Sequence, residues 1–227
     1  MSQPQHTTEA SSPAPFRALR FGVKRVKVRE RVTGTHYMMA EQPLQAYPER
    51  MTDRFRHSAH TTPDTTWIAR RAPAAAGQAV RGDWQHVSYA QGWAAARAIA
   101  QGLINRGLCV ERPVVILSEN SIEHALMAMG CLLAGVPFVP TSPAYSLIST
   151  DYDKLRHVLR TVTPGMVFAS DAARYGKAIA ATYAADVEVV LVDGDVSGVP
   201  STSFADLAAT VATSAVDAAI DATGPDT

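Results

Sequence analysis

Val114-Val115-Ile116-Leu117-Ser118-Glu119-Asn120-Ser121-Ile122-Glu123-His124-Ala125, running on through Leu133-Ala134-Gly135-Val136-Pro137 to Phe138-Val139-Pro140, decides the fold class. Four consecutive apolar residues bounded by polar ones read as a short buried strand. Asn120, with Glu123 three positions later, predicts a capped helix start. Ile122, Ala125, Leu126, Met129, Leu132 and Leu133 leave that helix apolar almost all round, so it should be buried. Gly135 supplies the stop, and Phe138-Val139 makes a second short strand closed by Pro140. Strand, buried helix and strand in that order form a βαβ unit.

The rhythm continues downstream. Thr150 and Asp153 open a helix carrying Leu155, Val158, Leu159 and Val162 at i, i+3, i+4 and i+7, and Pro164-Gly165 end it. Met166 to Ala169 reads as a strand, Asp171 to about Ala184 as an Ala-rich helix, and Val187 to Val192 as a strand broken by Asp193-Gly194. These four strands and three helices imply right-handed crossovers and a mostly parallel sheet, an α/β fold that is Rossmann-like in its layering. Upstream, Ser88-Tyr89-Ala90-Gln91 has the spacing of a capping box. Trp93, Ala96, Ala100 and Leu103 then recur on one helix face, with Gly107 where a left-handed C-cap is wanted.

Further out the signals weaken. Residues 1–15 read as a disordered arm and residues 16–45 as a β-hairpin segment. In it Val26, Val28 and Val32 alternate with Arg25, Lys27, Arg29 and Arg31, and Thr33-Gly34 offers a turn before Tyr37-Met38-Met39. The basic face could be an anion or nucleic-acid patch, but a solvated face that blunts a sheet edge explains it more simply. A short helix is expected around Arg54 to His60, and residues 72–82 read as a loose loop of small residues. Phe204 and Leu207 share a helical turn, whereas Ala208 to Ala222 reads as small and featureless.

Composition bounds the function. The chain has 227 residues, 21 basic against 21 acidic, 47% hydrophobic and 19% charged. That argues against a disordered chain and against a nucleic-acid or membrane field of the whole protein. The balance hides an asymmetry, with 10 Lys/Arg against 5 Asp/Glu in residues 1–60 and 2 against 9 in residues 161–227. The longest apolar run, Ala125 to Val139, is interrupted by Gly130, Gly135 and Pro137 and is too short to cross a bilayer. The N-terminus has no apolar core of a secretory signal. Its Ser-rich then Arg-rich order could mimic an organelle transit peptide, but the next segment is patterned as a strand. Cys109 and Cys131 form neither a disulfide framework nor a C-x-x-C pair, so a reducing, cytoplasmic location is expected.

Candidate chemistry is sparse. No G-x-G-x-x-G and no G-x-S-x-G occurs, and Gly176-Lys177 lacks the glycine five residues before it that a phosphate loop needs. His57 and His60, three apart on the expected helix, could offer two metal ligands on one face but have no third nearby in sequence. His124 and His157 lie beside charged neighbours and read as solvated. Asp193 and Asp195 flank a glycine after a strand, which is ordinary turn chemistry before it is a metal site. Cys109 and Cys131 read as packing residues. From the residues alone, no catalytic, cofactor-binding or metal-ligating residue is assigned.

Several stretches resemble a known family. Trp84-Gln85-His86-Val87-Ser88-Tyr89-Ala90-Gln91, then Arg106-Gly107-Leu108, then Val114 to Ser121, are similar to the opening of adenylate-forming, AMP-binding enzymes. Leu133-Ala134-Gly135-Val136-Pro137-Phe138-Val139-Pro140 resembles the second core motif of that superfamily. Tyr47-Pro48-Glu49-Arg50-Met51-Thr52-Asp53-Arg54, Ile122-Glu123-His124-Ala125-Leu126, Thr141-Ser142-Pro143-Ala144-Tyr145-Ser146-Leu147 and Lys154-Leu155-Arg156-His157-Val158-Leu159 resemble one branch, the feruloyl-CoA synthases.

The resemblance implies an acyl-CoA synthetase, in which ATP and Mg2+ activate a small aromatic acid to an acyl-adenylate and CoA accepts the acyl group. It also implies that residues 46–227 are an incomplete N-terminal AMP-binding domain. The family's Ser/Thr/Gly-rich phosphate loop ending in lysine is not found and would be expected just after the point where this sequence stops. The expectation is therefore a catalytically silent fragment of a cytoplasmic acid–thiol ligase, binding none of these cofactors tightly, with no nucleic-acid or membrane partner. Only scaffolding carries over: Ser88 and Gln91 as the capping pair, Gly135 as helix stop and Pro140 as strand terminator. Tyr145 could approach an acyl pocket, though a packed loop tyrosine is the simpler reading. Two alternatives stay open, a standalone non-catalytic binding or interaction module and a ligase for benzoate or medium-chain acids.

Overall fold

The computed structural model describes residues 25–72 and 82–224. The expected N-terminal arm and nearly all of the small-residue loop lie outside them. The chain divides into two units, Met1–Tyr47 and Pro48–Thr227.

The first unit contains the expected hairpin. β1 (Val26–Glu30) pairs antiparallel with β2 (His36–Ala40), Val28 opposite Met38. Gly34, at φ +77°, makes the turn, a conformation that glycine adopts without steric cost. Arg31 lies over the Tyr37 ring, 5.0 Å from its centroid.

In the second unit, α1 (Met51–Thr61) leads to an antiparallel pair, β3 (Thr66–Arg71) and β4 (Trp84–Ser88). Then come α2 (Tyr89–Asn105), β5 (Val114–Leu117), α3 (Ile122–Ala134), β6 (Phe138–Pro140), α4 (Ala144–Leu147) and α5 (Asp153–Val162). β7 (Met166–Ala169), α6 (Ala172–Thr182), β8 (Glu188–Leu191), β9 (Ser201–Ser203), α7 (Phe204–Ala208) and α8 (Ser214–Ala222) complete the order. Five strands form one wholly parallel sheet in the order β6-β5-β7-β8-β9. The parallel sheet is the α/β architecture expected from the sequence, with one strand more, and the β3–β4 pair is a further addition.

Period-two alternation divides the core into two layers. Val114, Ile116, Met166, Phe168 and Val190 pack with Ile99 and Leu103 of α2, Met127 and Cys131 of α3, and Leu207 of α7. Val115, Leu117, Val167, Ala169, Val189 and Leu191 pack with Leu155 of α5 and with Tyr175, Ala178 and Ile179 of α6. All four residues of β5 and all four of β7 are buried, as central strands covered on both faces must be.

Two helix starts differ from expectation. The N-cap of α3 is Ser121, not Asn120: its extended backbone lets Oγ accept from the His124 N–H at 3.0 Å. Glu123 is thereby released from capping and instead takes both guanidinium arms of Arg70, at 2.8 and 2.9 Å, tying β3 to α3. α5 starts at Asp153 rather than near Thr150. Ser149 Oγ donates to the Asp151 carboxylate at 2.7 Å, and that carboxylate accepts from the Asp153 N–H at 3.2 Å, so the chain turns before it coils.

The stretch that reads as featureless in sequence is in part α8. Thr213 Oγ1 accepts from the Ala215 N–H, Val216 and Ile220 are buried, and Arg97 forks onto the Asp217 carboxylate at 2.5 and 2.9 Å. Gln101 Oε1, buried beneath, accepts from both the N–H and the hydroxyl of Thr213. No helix among the described residues is long and apolar enough to cross a membrane.

Candidate functional site

The sheet order places the site. β6 and β7 lie on opposite sides of β5, and the connections leaving β5 and β7 run to helices on opposite faces. The two loops therefore diverge and leave a crevice beyond the carboxyl ends of β5 and β7, the topological switch point where open α/β sheets bind ligands.

One wall continues from β5. Buried Ser118 donates its hydroxyl to the Glu119 carbonyl at 2.6 Å, and a His124 ring nitrogen lies 3.2 Å from the same carbonyl. The other wall continues from β7. Asp171, the N-cap of α6, accepts from the N–H groups of Ala173 and Arg174 at 2.7 and 3.2 Å. With the Ala172 N–H bonded to the Asp193 carbonyl, the first three donors of α6 are occupied.

Across the crevice, Arg174 Nη1 donates to the Glu119 carboxylate at 2.6 Å. That hydrogen bond, with the charge behind it, holds the Glu119 carboxyl below its ordinary range and raises the Arg174 guanidinium. Beneath lies Tyr175, wholly buried, its hydroxyl making no close hydrogen bond and facing the Glu119 backbone. Burial raises its phenol, and the Arg174 charge opposes this in part. Ser146 on α4, which packs against α6, is a buried hydroxyl with no partner. Thr141, just past β6, is also buried.

The residues weighed from sequence fall elsewhere or serve the frame. Ser88 and Gln91 form both hydrogen bonds of a capping box, and Gly135 ends α3 at φ +68°. Pro140 closes the edge strand β6, where a missing donor costs least. Tyr145 sits on α4 rather than in a loop, half-buried against the α5–α6 layer, with Lys154 Nζ 5.5 Å from its ring centroid.

His60 points its ring at the Arg56 carbonyl and stacks edge-on to Trp93, so it does not converge with His57 on a ligand. Asp193 offers its backbone carbonyl to the Ala172 N–H beside a turn at Gly194, φ +75°. Gly176-Lys177 lies within α6, its backbone donors already committed to the helix. Cys131 is buried and its thiol is pushed far up, while the Cys109 thiol donates to Glu111 at 3.2 Å. Sequence reasoning missed Glu119, Arg174, Tyr175 and Ser146. The signal that would have found the first two is positional: they come just after the strands flanking the switch point.

The comparisons fit this geometry. A family model described as AMP-binding enzyme matches residues 55–221. The chain belongs to the AMP-binding enzyme family. A crystal structure from Rhodopseudomonas palustris, of a protein described as a long-chain-fatty-acid CoA ligase, superposes with a TM-score of 0.53 at 26% identity. It covers 72% of this chain and 37% of that one. The fatty acid AMP ligase of Legionella pneumophila shares the fold at 19% identity and a TM-score of 0.50, over 70% of this chain and 24% of its own. In sequence, the malpinin synthetase of Mortierella alpina is 33% identical over 135 residues, 60% of this chain and 2% of that protein. The chain thus spans only a minor part of each of these proteins.

Among the described residues, no group of three or more His, Cys, Asp or Glu could hold a metal ion. The crevice offers one guanidinium, already paired with Glu119. What it can do chemically is form a polar wall, with no nucleophile and base in hydrogen-bond reach.

Proposed function

We propose that this chain is the N-terminal portion of an ATP-dependent acid–thiol ligase of the feruloyl-CoA synthase type. In the complete enzyme a 4-hydroxycinnamate such as ferulate attacks the α-phosphate of ATP through its carboxylate oxygen. Diphosphate leaves, and the CoA thiol then displaces AMP to give the thioester. Developing charge on the diphosphate needs fixed donors and cations. The 227-residue chain contributes framework and the walls of the crevice to this reaction and does not turn over by itself.

The observation that carries this reading is the AMP-binding match over residues 55–221, which falls on the parallel sheet and its switch-point crevice. The aromatic acid rests on the resemblance of residues 47–54, 122–126, 141–147 and 154–159 to the feruloyl-CoA synthase branch, and the cytoplasmic location on two cysteines that make no disulfide framework.

ATP–diphosphate exchange with ferulate, benzoate and decanoate is the test. The purified chain should show none, and exchange by it would refute its silence. A longer polypeptide containing the chain should exchange best with ferulate. Preference for benzoate or decanoate would replace the substrate while leaving the reaction class in place.

A further inference from the structure

A cleft between α5 and α6 opens at the amino-terminal end of the sheet, opposite the switch-point crevice. It encloses about 540 Å3, inside the ~300–1,000 Å3 typical of small-molecule sites. Its floor is apolar, made by Val167 of β7, Val189 of β8 and Ile179 of α6, all buried.

Its rim is basic. Arg112 donates to the Asp186 carbonyl at 3.3 Å, and Arg156 donates to the Ala181 carbonyl at 2.6 Å. Arg160, in the last turn of α5, has neither a hydrogen-bond nor an ion-pair partner among the described residues. Against these three guanidiniums the lining sets two carboxylates, Glu111 and Asp186, a formal balance of +1. Glu111 is further occupied by the Cys109 thiol.

Thr163, also on the rim, ends α5 at φ +48° with its N–H on the Leu159 carbonyl. An apolar floor beneath an unpaired guanidinium matches a ligand with a hydrocarbon body and one negative end.

We propose that this cleft binds an apolar monocarboxylate, its chain or ring on Val167, Val189 and Ile179 and its carboxylate on Arg160. The site is separate from the crevice, and its occupancy requires neither ATP nor the ligase activity.

The test is isothermal titration calorimetry of the 227-residue chain with decanoate, cinnamate and decanol, without ATP. At least one acid should bind saturably at one site per chain, the two acids distinguishing a straight-chain from an aromatic occupant. Arg160→Glu should weaken that acid about three- to tenfold and leave decanol unchanged. Ala181→Trp, at an exposed rim position of α6, should abolish binding of acid and alcohol alike. Unchanged thermal midpoints show that both variants are folded. Absence of saturable binding overturns the proposal, and so does acid binding that survives both substitutions.

Discussion

Replacing Gly130 by alanine tests how closely α2 and α3 must approach for the sheet to be covered as it is. A Cβ at Gly130 would stand 2.8 Å from Ile99 Cβ, nearer still to Ile99 Cγ2, and 3.4 Å from the Ala100 backbone nitrogen. Ile99 is wholly buried and β-branched, so on a helix it keeps essentially one χ1 rotamer and cannot swing its methyl away. The helices must part instead, in an interior as dense as an organic crystal.

Overpacking of this kind costs ~1–3 kcal/mol, and a clash between Cβ atoms that no rotamer relieves belongs at the upper end. The better helix propensity of alanine returns ~1 kcal/mol. The net is a destabilisation of about 2 kcal/mol, or a fall in Tm of about 4–8 °C for a chain of this size. Urea unfolding followed by tryptophan fluorescence reads it directly, since Trp67 and Trp93 pack on Phe55 beside α2.

Gly176→Ala is the control. It is also mid-helix, but its Cβ would meet only Val196 Cγ2, at 3.3 Å. It should be neutral or stabilising by up to ~1 kcal/mol. If Gly130→Ala is no less stable than Gly176→Ala, α2 and α3 are not in the close contact that the Ile99 clash requires.

Two further perturbations address the crevice. Tyr175→Phe removes a buried hydroxyl that makes no close hydrogen bond and faces the Glu119 backbone, so it should change stability by less than ~1 kcal/mol in the same urea experiment. A loss of ~1 kcal/mol or more would mean that the Glu119 backbone satisfies the hydroxyl. Glu119 has a folded-state pKa below its unfolded value, so its contribution is present above the ordinary carboxylate range and disappears as pH falls through the folded pKa. A carbon-detected NMR titration should therefore place its midpoint lower in the native chain than in Arg174→Ala, and equal midpoints would remove the ion pair from the account.

The parts of the fold legible in the sequence are those written in local chemistry. Ser88 and Gln91 are three residues apart, and the reciprocal bonds at 3.3 and 2.9 Å arise from that spacing alone. The apolar runs of β5, β7 and β8 and the stop at Gly135 are equally local. β9 is hidden because Ser201-Thr202-Ser203 carries no hydrophobic signal. The edge strand is held by backbone pairing to β8 and by Thr202 Oγ1 donating to Glu188 at 2.7 Å. α8 is hidden by its alanines, and only Val216 and Ile220, fitted against α2 and α3, give it a buried side. The cap falls on Ser121 rather than Asn120, and Glu123, left free of capping, finds a distant partner, Arg70, that no local rule can supply. The crevice is the extreme case: its ion pair joins positions 119 and 174, which meet only because β5 and β7 are neighbours.

The proposed ligase reaction asks more of the crevice than one paired guanidinium. Moving a diphosphate off an acyl-adenylate precursor concentrates negative charge on the leaving group, and stabilising it takes several donors fixed in advance. Of the cations at the crevice, Arg174 is committed to Glu119, and neutralising either member would leave the other uncompensated. The helix start beneath it has given its donors to Asp171. Arg174 Nη1 is taken by Glu119 and the first N–H groups of α6 by Asp171 and Asp193, so in the proposed reaction further phosphate donors would come from other parts of the complete enzyme.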